Sequence, residues 1–314
     1  MSAFGRGFRN RHPLVLIAAA FLLVPALLGF EWLFTSGAWT VVPLDTALRN
    51  PEDSFTYVSW QVGRARQDKP DMPGLYLVGG SSARESIVSG DALAAEIEGL
   101  GGPRVAVYNL GSINQNFAES LSVLESAPDT PAWLLLGVNL GRFTATREEN
   151  AEQGQGREFL LKSDAVRSFV SSRWGLEKYQ FTILPGIWAY VTDWMRKHGG
   201  SLLDGRTPST EYELHRYSEK TRRSDGHKRR LVKRWNTSRK PVFERNRVAN
   251  LQMLEELLRK VRERGVNVVL LELPLNKEIV KDAFVSSQRK YKIPVAKLAD
   301  EYGYPYIDLN ETVD

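Results

Sequence analysis

The sequence predicts an α/β protein built on a doubly wound parallel sheet. Short apolar runs, each closed by glycine or turn residues, have the length of buried strands and lack the polar alternation of a strand with one wet face. Segments with helical periodicity separate these runs, and strand–helix–strand order is typical of a parallel layer structure. The composition, 42% hydrophobic and 25% charged over 314 residues, excludes a disordered or fibrous chain.

The first predicted element is a membrane anchor at 13–34. It opens with 18 residues that carry no charge, which is enough for a membrane-spanning helix. Three arginines and no acidic residue precede it, so the positive-inside rule places the tail, 1–12, in the cytoplasm. We therefore expect a single-pass protein of the cell membrane with its C-terminal domain outside the cytoplasm. The alternative is a cleaved signal peptide with a cleavage site at 36–38.

Strands and helices alternate after the anchor. The helical patterns lie at 51–66, 91–100, 116–126, 246–264 and 277–302. The apolar runs that predict strands lie at 75–78, 105–108, 133–136, 266–271 and 304–309. The α/β domain therefore has two parts, 35–143 and 246–314.

A helical or irregular insertion, 144–245, separates the two parts and has no strong strand signal. Its apolar and aromatic stretch, 181–191, is too short to span a bilayer and suggests a lid, a membrane-resting helix or core. The following stretch, 216–247, is crowded with lysine and arginine. It suits contact with anionic lipid or an acidic polymer, or a solvated helical face. Nucleic acid is not an expected partner, because no recognisable module is present and export would separate the two.

The chain has no cysteine and four histidines, and these counts limit the catalytic groups that it can supply. A thiolate nucleophile and a cysteine-ligated metal are excluded, and we predict neither a metal nor a cofactor. The side chains that could act as a general base near neutral pH are therefore few: His12, His198, His215 and His227.

Polar side chains follow the first three predicted strands, where ligands bind in open α/β sheets. Gly79-Gly80-Ser81 follows the first strand, Asn109-Leu-Gly111-Ser-Ile-Asn114 the second, and Gly137-Val-Asn139 the third. A serine hydroxyl on a tight turn and a nearby amide are the nucleophile and oxyanion donor of acyl transfer. Ser82 is the alternative nucleophile. The non-catalytic alternative is that Ser81 caps a helix, because Ser-x-x-Glu is also a capping-box pattern.

The three motifs, in this order, resemble the blocks of SGNH or GDSL-type hydrolases. Gly79-Gly80-Ser81 resembles the family's Gly-Asp-Ser block, and Gly137-Val-Asn139-Leu140 resembles its Gly-x-Asn-Asp block, each without the aspartate. The resemblance covers about 75–139 and 266–314. It implies a flavodoxin-like three-layer sheet with Ser81 as the nucleophile and Asn139 in the oxyanion hole, joined there by Gly111 or Asn114.

The family's last block, Asp-x-x-His, has no counterpart in this sequence. Methionine, tyrosine and serine stand three residues before His198, His215 and His227, and the sequence stops six residues after Asp308. We expect the domain to be incomplete at its C-terminus, with the base beyond residue 314; the alternative is a protein that lacks it. Asp225 and His227 have the wrong spacing, and we expect a solvated loop there.

An anchored SGNH-like domain is similar in plan to the proteins that assist alginate O-acetylation and D-alanyl transfer to teichoic acid. The resemblance implies a serine esterase or acyltransferase that acts on acyl esters of a cell-envelope glycan or lipid. The alternative is a catalytically inactive glycan-binding or scaffold protein that assists a membrane O-acyltransferase.

Overall fold

The structure is a computed structural model that describes residues 36–49, 53–68, 71–129, 132–154, 163–176, 192–195, 225–275 and 283–312, with scattered residues between 17 and 33. Half of the predicted anchor, 13–34, lies outside the described residues, as do the aromatic stretch, 181–191, and three of the four histidines. Within the described residues, no helix combines the length and apolar character that crossing a bilayer requires.

Five parallel strands form one sheet in the order β2-β1-β3-β4-β5. The strands are β1 (Gly74–Val78), β2 (Ala106–Asn109), β3 (Ala132–Val138), β4 (Asn267–Glu272) and β5 (Tyr306–Asp308). The α/β class and the parallel sheet are therefore confirmed, and each strand begins and ends within two residues of its predicted position. The strand order is compatible with a flavodoxin-like fold.

Helices connect the strands and precede the first one. They are α1 (Leu44–Ala47), α2 (Ser54–Asp68), α3 (Ser81–Arg84), α4 (Gly90–Gly99), α5 (Phe117–Ser126), α6 (Arg147–Gly154), α7 (Asp164–Trp174), α8 (Asp225–Arg234), α9 (Lys240–Glu263), α10 (Val285–Tyr302) and α11 (Leu309–Thr312). A 3-10 helix, Leu140–Thr144, follows β3, and a π-helical turn, Trp235–Arg239, joins α8 to α9.

Two predictions about the basic stretch differ from the structure. The expected loop at Asp225 and His227 is wrong, because these residues begin α8. Helix α9 begins six residues earlier than predicted, at Lys240. Its early residues are anchored by Phe243, which is fully buried in the main core and lies near the buried Trp235 of the π-helical turn.

The main hydrophobic core lies on one face of the sheet. Alternate strand residues point into it, together with residues of α2, α5, α9 and α10: Tyr76, Val78, Leu134, Leu136, Val138, Val268, Leu270, Val58, Leu121, Leu254 and Val295. On the opposite face, a smaller cluster contains Leu77, Ala83 and Leu273. Trp133 is 41% exposed, so this second face is covered less completely by the described residues.

The strand order places β1 between β2 and β3, so the connection after β1 runs to one side of the sheet, to β2, and the connection after β3 runs to the other, to β4. This is the topological switch point, where the carboxyl ends of parallel strands leave a crevice for ligands. The register aligns Leu77 of β1 with Asn109 of β2, and Val78 with Leu136 of β3. The three predicted site motifs therefore emerge side by side at one edge of the sheet.

Candidate active site at the strand ends

Ser81 begins the single helical turn α3 directly after β1. The carbonyl of Gly80 accepts the N–H groups of Ala83 and Arg84 at 2.9 and 3.0 Å. Gly80 is the N-cap and no side chain caps this helix, so the capping alternative for Ser81 is wrong. Ser81 is half-buried, and neither its hydroxyl nor its N–H makes a hydrogen bond with another described residue. Both groups are thus available to a ligand. Ser82, the alternative nucleophile, is exposed.

Small residues allow α3 to lie directly on the strand ends. A Cβ on Gly79 would lie 2.7 Å from the Cβ of Ala83, and a Cβ on Gly137 would lie 3.0 Å from the same atom. The approach at Gly79 is too close for a side chain, and a side chain at Gly137 would require Ala83 and Leu273 to shift. The glycines of two predicted motifs therefore have a packing role that fixes the position of Ser81.

The loop after β2 separates the two predicted oxyanion candidates. The N–H of Gly111 donates to the Asn109 side chain at 3.2 Å, and a Cβ on Gly111 would lie 2.9 Å from the nitrogen of Arg84. Gly111 is buried, its donor is occupied, and it is not among the residues that line the cleft described below. Asn114 is exposed, lines the cleft and has a left-handed backbone with φ of 57°, a conformation that asparagine tolerates better than most residues. The geometry therefore favours Asn114 over Gly111.

Asn139 presents a side-chain donor next to the turn that carries Ser81. Its Oδ1 accepts the N–H of Arg142 at 3.3 Å and caps the 3-10 helix that follows β3. With the oxygen held in this way, Nδ2 lies 3.8 Å from the position that a Cβ on Gly80 would take. The amide N–H groups of Asn139 are therefore oriented by the backbone and lie beside the candidate nucleophile.

Ser81, Asn114 and Asn139 line a single cleft of about 650 Å³. Its wall is rich in amides and hydroxyls, with Gln115, Asn116, Thr144 and Thr146 beside them. The structure thus brings together residues that follow three different strands. The first and the last of them, Ser81 and Asn139, are 58 positions apart in the sequence. A serine hydroxyl, a side-chain donor and a free backbone N–H in one polar cleft are three of the components that acyl transfer needs, besides a general base.

Arg142 lies beneath the cleft and is a site residue that the sequence did not reveal. It is 3% exposed and donates to the carbonyls of Gly137 and Asn116 at 2.6 and 3.0 Å, and also to the hydroxyl of Ser120. Its guanidinium carbon lies 4.1 Å from the centre of the Phe117 ring. Arg142 therefore ties the third motif to the start of α5.

Burial lowers the pKa of Arg142 to about 9, while the nearby Glu119 carboxylate acts in the opposite direction. The guanidinium is therefore still charged at neutral pH. Glu119 is itself buried and accepts a hydrogen bond from the Ser112 hydroxyl at 2.6 Å. No local pattern in the sequence distinguishes this buried arginine from the many exposed ones, because its partners are up to 26 positions away.

The end of α8 and the π-helical turn supply another wall of the cleft. Arg234, Ser238 and Arg239 line it, and both arginines are exposed. Neither has a carboxylate partner among the described residues. Glu149 is the carboxylate on the described wall, and its Oε2 is already bonded to the N–H of Thr146 at 2.7 Å. The cleft therefore carries net positive charge and suits an anionic ligand.

A general base is not identified on the part of the wall that the structure describes. His227 is half-buried in α8 and does not line the cleft, and the other three histidines lie outside the described residues. Among the described side chains, no group of three or more histidines and carboxylates could hold a metal ion.

No model of a known protein family matches the chain, and no curated protein matches it significantly. The resemblance to SGNH hydrolases therefore depends on the three motifs alone.

Proposed function

We propose that this chain is an SGNH-type serine esterase or acyltransferase that acts on acyl esters of a cell-envelope glycan or lipid. The observation that carries the proposal is the shared cleft of Ser81, Asn114 and Asn139. We further propose that residues 13–34 anchor the protein in the cell membrane and that the α/β domain lies outside the cytoplasm. The uncharged run and the arginines before it support this location.

In the proposed reaction, the Ser81 hydroxyl attacks the ester carbonyl and forms an acyl-enzyme. The Ser81 N–H and the Nδ2 of Asn139 donate to the oxyanion of the tetrahedral intermediate, and Asn114 offers a third donor. The alcohol leaves with a proton, and water or an acceptor hydroxyl then attacks the acyl-enzyme and releases Ser81. The base that accepts the serine proton is not assigned to a described residue.

The cleft walls support a saccharide as the alcohol part of the ester. Side-chain amides and hydroxyls match the hydroxyl groups of a sugar, and Arg234 and Arg239 match an acidic group on it. An acidic envelope glycan therefore fits the cleft better than a neutral one.

Hydrolysis of p-nitrophenyl acetate by the parent protein, Ser81→Ala and Ser82→Ala tests the proposal. Ser81→Ala should reduce the rate to the uncatalysed background, because no other serine hydroxyl on the described wall stands at the strand end beside Asn139. Ser82→Ala should retain most of the parental rate. A Ser81→Ala protein that hydrolyses the ester as fast as the parent would show that the proposed nucleophile is wrong.

A second candidate function is an inactive SGNH-like protein that binds glycan and assists a membrane O-acyltransferase. Gly80 and Leu140 stand where the family has aspartates, and the described cleft wall contains no histidine. This candidate predicts glycan binding that Ser81→Ala leaves unchanged and no Ser81-dependent hydrolysis. Measuring both properties on the same two proteins separates the candidates.

A further inference from the structure

A second cavity opens beside the cleft and has a different chemical character. It encloses about 360 Å³ and shares four residues with the cleft: Asn139, Gly141, Arg234 and Arg239. The two cavities therefore meet at the amide that we assign to the oxyanion hole. A ligand that extends from Asn139 away from the polar cleft would enter this second space.

The wall of the second cavity is mainly apolar, and most of its apolar residues come from two parts of the fold. Leu231, Val232 and Trp235 contribute from α8 and the π-helical turn, and Leu273 and Leu275 contribute from the segment after β4. Trp235 is 5% exposed and packs edge-on against Phe284, with the ring centres 4.8 Å apart. Trp235 and Leu273 are buried, so these parts of the wall are held in place, whereas Leu231 is 36% exposed and the pocket opens to solvent there.

We infer that this apolar pocket binds the acyl chain of the substrate and that the chain is longer than acetyl. The inference rests on the proposed ester chemistry at Ser81. With the ester carbonyl at Ser81 and Asn139, the alcohol part lies in the polar cleft and the acyl part lies in the apolar pocket. The two cavities then match the two halves of one ester.

Size and charge support an acyl chain as the occupant. A volume of about 360 Å³ is within the range of small-molecule pockets, about 300–1,000 Å³, and is far more than one methyl group requires. Once the alcohol part has left the cleft, Arg234 and Arg239 can also complement the carboxylate that hydrolysis releases at the junction. A chain that fills the pocket should gain about fourfold in affinity per methylene, the fold-change equivalent of ~0.8 kcal/mol per buried CH₂.

Binding of the product-like carboxylates acetate, butanoate, hexanoate and octanoate tests this inference by calorimetric titration of the full chain. We expect the dissociation constant to fall by about fourfold per methylene until the pocket is full. Leu231→Trp should remove this dependence on chain length, because the larger side chain occupies the pocket. Leu231 is 36% exposed, so the substitution should not unfold the protein. Leu100→Trp is the matched control, since Leu100 is 90% exposed and lines neither cavity.

Three results would overturn the inference: no measurable binding, a dissociation constant that does not depend on chain length, or parental binding by Leu231→Trp. A pocket that receives another segment of this chain or of a protein partner would give one of these results. Binding of a carboxylate needs no activated serine. Failure of the Ser81 proposal in the hydrolysis assay is therefore distinguishable from failure of the acyl pocket in this titration.

Discussion

At the scale of single residues, Asn139 has two roles, one for the Oδ1 atom of its side chain and one for the Nδ2 atom. Its Oδ1 accepts the Arg142 N–H and caps the 3-10 helix, whereas its Nδ2 faces the turn before Ser81. The Gly-x-Asn motif predicted the donor, but the cap depends on the backbone conformation of the following residues. An aspartate at this position would keep the acceptor and lose the donor.

Asn139→Asp and Asn139→Ala should both lower kcat for p-nitrophenyl acetate by about 10²–10³-fold, because each removes an oxyanion donor. Only Asn139→Ala should also lower the free energy of unfolding, by about 1 kcal/mol, because it removes the cap as well. Steady-state kinetics and urea unfolding measure the two effects. A parental kcat in Asn139→Asp would remove Asn139 from the oxyanion hole.

Arg142→Met should lower the free energy of unfolding by about 3–5 kcal/mol, because the buried carbonyls of Gly137 and Asn116 each lose a donor and the buried Glu119 loses the positive charge of Arg142. Urea unfolding measures this loss. Arg230→Met is the matched control, since Arg230 is exposed and a surface substitution should change stability by less than about 0.5 kcal/mol. Equal stability of the two variants would contradict the positioning role of Arg142.

At the scale of elements, the apolar runs predicted all five strands, because a strand buried in a parallel sheet is a continuous apolar stretch of the sequence. The three strand-end motifs were also local, since glycine, serine and asparagine follow each run directly. The π-helical turn at Trp235–Arg239 had no such signal. Its place on the cleft is set by packing of Trp235 against the nearby Phe243 and against Phe284, which is distant in the sequence, and sequence spacing does not encode the second contact. The apolar pocket could not be predicted for the same reason.

At the junction of β1, β3 and α3, an added side chain should disturb the packing of these elements. Gly79→Ala should lower the free energy of unfolding by about 1–3 kcal/mol, because the new Cβ would meet the Cβ of Ala83 at 2.7 Å. It should also lower Ser81-dependent hydrolysis, because relief of the clash moves α3.

Gly99→Ala is the matched control in α4, where no atom lies within 4 Å of the added Cβ. It should leave stability unchanged or raise it by up to about 1 kcal/mol, since alanine favours helix over glycine. Thermal or urea unfolding of both variants measures the difference. Full stability and activity of Gly79→Ala would contradict the close contact at the strand ends.

At the scale of the whole molecule, a buried carboxylate links the last two strands to the core. Glu272 of β4 accepts hydrogen bonds from Tyr306 of β5, at 3.1 Å, and from Tyr291 of α10. The Tyr291 ring stacks on Phe143 with the centres 4.6 Å apart, and Phe143 lies in the 3-10 helix that Asn139 caps. Contacts therefore run from β5 to the candidate site.

Burial raises the pKa of Glu272 to about 7, against the opposing effects of Tyr291, Lys292 and Tyr306. The folded protein then holds this proton more tightly than the unfolded chain, whose glutamate has a pKa of 4.5. The stabilising contribution is complete below the unfolded pKa and is lost as the pH rises through about 7. The free energy of unfolding should therefore fall as the pH rises from mildly acidic to neutral.

Glu272→Gln should remove this part of the pH dependence, because the amide stays neutral and still accepts from tyrosine. Urea unfolding at about pH 5 and about pH 8 should show a smaller loss of stability for the variant than for the parent. An identical loss in both proteins would show that Glu272 does not control it.

The central claim is that Ser81 is a nucleophile presented at the end of β1. The most direct measurement is reaction of the full chain with a fluorophosphonate, followed by mass spectrometry of the labelled peptides. Our account predicts one covalent adduct on Ser81, retained in Ser82→Ala and absent from Ser81→Ala. An adduct on another residue, or labelling of Ser81→Ala equal to that of the parent, would contradict it.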